Sequence, residues 1–362
     1  MAILDRAAIK RATLAANRAV EQLDMDQTDK LTRLFKEAQA AIVARIQASA
    51  GHDGSIALQE LRSLLAQVEG HLAALSEARN LALQGAIQTA AEYGAKVYEG
   101  LATAGGLPAA SSMRIAEEAV FLTTTFMAAD GLRLSDRLWR LDRGARDALV
   151  NAIESAVIQG HGAAQAAREF LARGQGVPAD VAAAVGKGNA RALSGTAQAL
   201  MTGQGGALDN AMRVFRTEIN RAHGEAYMKG GEDLPGFAGW RFLLSPAHPE
   251  PDICDLLSEQ NLHGLGPGVY PSREACPWPA HPNTLSFVEI VFDEDVTAAD
   301  RAGKETPEDA LARLPLHKRE GAIGKAKTAL FDAGVIRRGS FRAPLYVVKQ
   351  RLERHVATPS KT

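Results

Sequence analysis

The sequence predicts an α+β protein that is mostly α. A helical N-terminal region is followed by a small mixed α/β domain containing cysteine and histidine, and then by short C-terminal helices. Two observations carry this. From the N-terminus to about residue 230 the chain is rich in Ala, Leu and charge, and its apolar residues recur at three-four spacing. The stretch from Arg241 to Phe292 breaks that pattern. It holds both cysteines, Cys254 and Cys276, three histidines, Trp278 and a dense set of Pro and Gly, with Trp240 just before it. Proline lacks an amide donor and glycine carries a backbone entropy cost, so no long helix forms there. Short strands and loops are expected, and so small a region poor in apolar core calls for a staple.

At 362 residues the chain has room for two or three domains. Its 46% apolar and 23% charged residues are ordinary for a globular protein. A formal net charge of −1 gives no global field toward nucleic acid or membrane. Two cysteines make no disulfide framework, which points to an intracellular setting. The first residues lack an apolar signal core, and no apolar run is long enough to span a bilayer.

Residues 4–50 read as two helices, with Leu4, Ala8, Ala12, Ala15 and Val20 on one stripe and Leu31, Leu34, Ala38, Ile42 and Ile46 on a second. Ser55 is placed to cap a helix carrying Leu58, Leu61, Leu64, Leu65 and Val68. A long helical pattern follows from Leu72 to Leu101, as an arm or as part of a plain bundle. Its apolar positions are Leu75, Leu81, Ile87, Ala91 and Val97. Gly105-Gly106-Leu107-Pro108 is strong punctuation. Helices are then expected at Ser112–Ala128, from Ser135 to a terminating Gly160, and at Ala163–Ala172, Asp180–Val185 and Ala190–Met201. The glycine-rich connections between them follow no strand and contain no Gly-Lys-Ser/Thr, so they read as helix ends rather than nucleotide loops.

Leu208–Lys229 is a further helix, burying Met212, Phe215, Ile219, Ala222 and Ala226 and leaving Arg216, Glu218, Asn220 and Arg221 on the surface. Phe237–Leu244 and Leu285–Phe292 have the aromatic and β-branched residues of strands and bracket the Cys/His stretch. Thr306-Pro307-Glu308-Asp309 is a helix start with a cap, an N1 proline and acids on the positive end of the dipole. Beyond it, two helices fit at Lys318–Ala333 and Arg342–Val356. This last part is basic. Arg337, Arg338 and Arg342 are its candidate contacts to DNA or an acidic partner, against the plainer reading of a solvated face that balances the preceding acidic stretch. The expected regions are 1–130, a helical arm or bundle; 131–207, a helical connector; 208–296, the Cys/His domain; and 297–362, the acidic-then-basic tail.

An ordered set of segments carries a family likeness: TEINRAH (Thr217–His223), GWRFLLSPAHPEPDICDLL (Gly239–Leu257), HGLGPGVYP (His263–Pro271) and PWPAHPN (Pro277–Asn283). The set resembles the phage Mu F-like head morphogenesis family, the minor head proteins of tailed phages and prophages. The residues matching the family pattern are Arg216, Thr217, Glu218, Trp240, Asp252, Pro279, Pro282 and Asn283. The likeness covers about Ser135–Phe292 and implies a structural virion protein at the portal vertex, acting in capsid assembly, DNA packaging or DNA delivery. Its implied partners are the portal and other head proteins and packaged DNA, with no membrane. Its implied location is the virion, and the host cytoplasm during assembly. Where the family closes with His-Pro-Asn-Cys-x-Cys, this chain has Thr284 and Ser286 in place of the cysteines.

Four residues supply the number and type of ligand that tetrahedral zinc takes: His248, Cys254, Cys276 and His281, with His263 in reserve. Their spacing matches no standard finger. The alternative has the histidines bonding loop carbonyls and the cysteines packing as small apolar groups. Cys254, His281 and Asn283 also invite a thiol-hydrolase reading, with Cys254 near the start of a short helix, DICDLLSEQ. His248 and His281 with Asn283 do not follow the order of a His-Asn-His nuclease. Glu218 has no nicotinamide-binding motif around it to suggest ADP-ribosyl transfer, and reads as a surface or interface carboxylate.

Overall fold

A computed structural model describes residues 6–99, 110–127, 131–172, 177–187, 189–246, 248, 250–281, 284 and 286–357. Leu4, the Gly105–Pro108 punctuation, Asp130, Pro282, Asn283 and the last five residues lie outside them.

The protein is mostly helical with one small sheet, as its composition requires. Helix α1 is Arg6–Ala48, α2 Leu61–Lys96, α3 Ala110–Thr125, α4 Leu134–Ala172, α5 Ala179–Lys187, α6 Ala190–Thr202 and α7 Ala207–Gly231. Strand β1 (Phe237–Leu243) leads to α8 (Ile253–Glu259), β2 (Val269–Tyr270) and β3 (Phe287–Phe292). The tail adds α9 (Ala298–Ala302), α10 (Pro307–Arg313), α11 (Leu316–Ile323), α12 (Lys325–Asp332) and α13 (Leu345–Ala357).

Two expected breaks are absent. Where two helices are expected across residues 4–50, Arg6–Ala48 forms one helix of 43 residues, because no Gly or Pro interrupts it and its buried stripe passes from Ile9, Thr13, Ala16 and Val20 to Leu31, Phe35, Ile42 and Ile46. Likewise α4 runs through Gly160 to Ala172. One glycine without a left-handed turn or a following proline only weakens a helix. Ser135 lies inside α4 and does not cap it; the Asp136 carboxylate accepts the Arg133 amide instead, at 2.9 Å. A 3-10 turn at Leu58–Glu60 precedes α2, and Leu81, expected in the core, is 64% exposed. In the tail, Gly324 at φ 85° splits the expected Lys318–Ala333 helix into α11 and α12.

Two compact units are interleaved along the chain. One comprises Met1–Ala16, Ala91–Ala116 and His223–Thr362; the other Asn17–Ala90 and Glu117–Ala222. Four helices, α1, α2, α3 and α7, each contribute residues to both.

In the second unit α4 packs on α5 and α6. Asn189 caps α6 through the Arg191 amide (2.8 Å) and pairs with Ser55 by an isolated bridge. Arg79 of α2, 1% exposed, makes a bidentate ion pair with Asp142 of α4 at 2.5 and 3.0 Å. This pair lines an apolar pocket of about 440 Å³ together with Phe35, Leu72 and Trp139.

The first unit holds the sheet, antiparallel in the order β2-β1-β3. Trp240 of β1 pairs with Tyr270 and Ile290. Alternation places Trp240, Phe242, Tyr270, Val288, Ile290 and Phe292 in one buried cluster with Tyr98, Tyr227, Cys254, Cys276 and Trp278. Val269, Val291 and Val296 form a smaller cluster, so the sheet is covered on both faces. Helix α7 is tied to this sheet. The Ile290 amide donates to the Tyr227 hydroxyl at 3.1 Å, and the Tyr227 ring lies 5.3 Å from Trp240. Gly224 gives Trp278 its place: a Cβ there would come within 1.9 Å of the indole ring.

Candidate metal centre

Helix α8 is short, so its start decides where its side chains point. Asp252 is its N-cap. The Asp252 carboxylate accepts the Cys254 amide at 2.6 Å, and the Asp252 amide donates to Asp255 at 3.0 Å, a reciprocal capping box. Leu256 packs into a cluster with Ala310, Leu311, Leu314, Ile323 and Phe341 of the tail, and Cys254 and Leu257 pack under the sheet. The helix is thereby fixed on two sides.

The loop after Trp278 returns to this helix. Trp278 is anchored by its indole N–H on the Ser286 carbonyl at 2.9 Å, and the Trp278–Pro279 peptide is cis. His281 follows. Its Nε2 lies 3.0 Å from Asp252 Oδ2 and 3.2 Å from Cys254 Sγ. The Thr284 hydroxyl also lies 3.8 Å from Sγ. Cys254 is 1% exposed, whereas the Asp252 and His281 side chains are each about one-third exposed. Burial pushes the Asp252 carboxyl up, but hydrogen bonds from His281 and Cys254 outweigh it and bring it down to about 2.

His248 stands beside this trio. Its Nε2 is 3.1 Å from Asp255 Oδ2 and 3.8 Å from Asp252 Oδ1. Asp255 is 3% exposed and is also reached by Lys318 of α11 at 3.4 Å. Among the described residues, two groups bring metal-binding atoms within 4.8 Å of one another: Asp252, Cys254 and His281, and His248, Asp252 and Asp255. Neither contains Cys276 or His263. Cys276 is buried in the core cluster, and burial pushes its thiol up to about 11, the behaviour of a small apolar group. His263 is exposed and packs edge-on against Tyr270. His248, Cys254, Cys276 and His281 therefore do not fall into one such group, and the residue beside Cys254 and His281 is Asp252. Asp255 and Lys318 were not singled out in the sequence. The Asp-Ile-Cys-Asp pattern is a capping-box signal for Asp255; no local signal marks Lys318, which reaches it from 63 residues on.

The remaining family-pattern residues are structural in their contacts. Trp240 is fully buried, with its indole N–H 3.4 Å from Glu232. Pro279 is half-buried. Arg216 pairs with Asp24 at 2.9 Å, and the Thr217 hydroxyl donates to the Arg213 carbonyl at 2.7 Å. Glu218 and Arg221, expected on the surface, are 3% and 5% exposed and pair at 3.1 Å, with the Arg221 guanidinium over the Phe126 ring. Helix α7 is buried on nearly every side from Thr217 to Met228, which is why its polar residues find partners. Burial pushes the Glu218 carboxyl up against the pull of Arg221 and Arg137.

Much of the basic tail is spent internally. Lys318 pairs with Glu259 at 2.5 Å, Arg313 with Glu305 at 3.0 Å, Lys327 donates to the Phe341 and Ala343 carbonyls, and Arg342 donates to the Ala280 carbonyl at 2.7 Å. Arg337 and Arg338 are exposed, with the Arg338 amide on Glu308. Thr306 caps α10 with a capping box and a proline in its first turn. No helix among the described residues is long and apolar enough to cross a membrane.

No family model, curated protein or solved structure matches the chain.

Proposed function

We propose that this chain is a structural minor head protein of a tailed phage or prophage, held in few copies at the portal vertex and acting in capsid assembly, DNA packaging or DNA delivery. One observation carries the reading. Three of the four separated segments that resemble the Mu F-like head morphogenesis family meet in one core: Trp240 and Cys254 from the second, Tyr270 from the third and Trp278 and Ala280 from the fourth, all packed with Tyr227 of α7, just past the end of the first. Residues that build a core hold a shape, and a shape is what an assembly protein presents to its partners. The exposed Phe121 and Leu122 of α3, at 66% and 45%, are further support, since apolar side chains held in water suit a partner contact.

A second reading, a Cys-dependent hydrolase, draws on the 3.2 Å contact between Cys254 and His281. A nucleophilic thiol has to be reached by its substrate. Here the Cys254 residue is only 1% exposed. That favours the assembly role. Cys254→Ala separates the two, since only a nucleophile's loss abolishes turnover.

The test of the head-protein reading is particle composition. Full heads and empty proheads from the source phage or induced prophage are purified, and this chain is quantified against portal and coat by mass spectrometry. The expected result is retention in both, near the level of the portal and far below the coat. Absence from both overturns the virion role.

A further inference from the structure

We infer that Asp252, Cys254 and His281 bind a single zinc ion through Oδ2, Sγ and Nε2. The inference stands apart from the head-protein reading, because it depends on the geometry of three side chains and on no partner.

Three donors of different chemistry converge from two segments. Nε2 of His281 is 3.0 Å from Oδ2 and 3.2 Å from Sγ, and the three atoms lie within 4.8 Å of one another. Zinc bonds of about 2.0 Å to nitrogen and oxygen and about 2.3 Å to sulfur, set tetrahedrally, hold such atoms roughly 3.3–3.6 Å apart. The two distances from Nε2 need to open by only a few tenths of an ångström. Without a cation, one ring nitrogen must serve a carboxylate and a sulfur with at most one proton. With a cation, all three lone pairs have a common partner.

The surroundings suit this use. Asp252 Oδ1 is occupied by the Cys254 amide, which fixes the carboxylate and turns Oδ2 toward His281. Cys254 lies on α8, whose start the capping box holds. A carboxylate and a thiolate balance the two charges of the ion, while the imidazole stays neutral; binding releases the thiol proton to solvent. The mixed oxygen, nitrogen and sulfur set suits zinc better than magnesium or calcium, which take oxygen. Asp252 and His281 are each about one-third exposed, so water reaches the site and fills the fourth position. His248, held by Asp255, stays in the outer shell.

The test uses the full chain, first for zinc content as purified without chelator, then stripped and titrated with Co²⁺. The expected result is one metal per chain and a cobalt spectrum with a sulfur-to-metal charge-transfer band. Cys254→Ser should remove that band. His281→Gln should weaken binding by more than the roughly 10–100-fold that loss of an outer-shell partner costs. Cys276→Ser should leave content and spectrum unchanged. Thr284→Cys places a second thiol beside Cys254 and should strengthen the band, which keeps the proposal testable if Cys254→Ser fails to fold. Four results each overturn the assignment: no metal in wild-type protein with zinc or cobalt in excess, loss of the band in Cys276→Ser, loss of affinity in His248→Gln equal to that in His281→Gln, or an unchanged band in Thr284→Cys.

Discussion

Arg79 is a guanidinium in the interior of the helical unit, and its fate depends on Asp142. Two of its nitrogens reach the Asp142 carboxylate at 2.5 and 3.0 Å, and one of them also donates to Asn80 at 2.8 Å; its Nε has no hydrogen-bond partner among the described residues. The Arg79 side chain is 2% exposed and that of Asp142 37%. Asp142→Leu strands the cation in the interior. Breaking a buried pair from one side costs ~3–5 kcal/mol, and the partial exposure of Asp142 puts this case at the lower end, ~3 kcal/mol. Arg79→Met is milder, ~1–2 kcal/mol, because Asp142 keeps the Ser76 hydroxyl at 2.7 Å and can reach water. The double variant, Arg79→Met with Asp142→Leu, removes both charges and should return to within ~1 kcal/mol of the wild type. The assay is urea unfolding followed by circular dichroism. With a slope of ~3 kcal/mol/M, Asp142→Leu moves the midpoint by ~1 M. Hydrogen exchange over residues 61–96 and 134–172 localises the effect. The reasoning is refuted if Asp142→Leu costs no more than Arg79→Met, or if the double variant falls as far as Asp142→Leu.

Two glycines on helices should respond to the same change with opposite sign. Gly224→Ala drives a Cβ to 1.9 Å from the Trp278 ring and should lower stability by ~1–3 kcal/mol, whereas Gly85→Ala, with nothing within 4 Å, should raise it by ~0.5–1 kcal/mol; urea midpoints check both. The third prediction concerns pH. Burial lifts the Glu218 carboxyl above its usual 4.5, so the folded state holds that proton more tightly than the unfolded chain. Its contribution is complete below pH 4.5 and is lost as pH rises through the lifted value. Glu218→Gln should flatten the stability–pH curve in that window, and an unchanged slope there would exclude the burial account.

The local elements were readable because their causes are local. The apolar periodicity of α7, the aromatic and β-branched runs of β1 and β3, and the Thr306-Pro307 start of α10 each lie within a few residues of the structure they produce. Where a signal was weak, the reading went astray. Gly160 read as a stop, but a lone glycine in an alanine-rich run costs less than ending the helix. The two apolar stripes of residues 4–50 read as two helices, but without Gly or Pro between them the helix simply continues.

The sequence by itself determined the class of the protein: Ala-rich helices around one small sheet, a cysteine and histidine stretch that cannot be helical, and the residue types available for a metal. Tertiary structure decided which of them meet. Cys276 and Cys254 have the same chemistry on paper and share one buried cluster, yet it is Cys254 that meets His281, because the capping box of α8 aims it while Trp278 and Gly224 set the path of the returning loop. Asp252 entered the site for the same reason. Glu218 and Arg221 are charged on a helix and so read as surface, but α7 is enclosed by elements far away in sequence. Periodicity tells a side chain's direction around its own helix; only the packing of distant segments tells what lies in that direction.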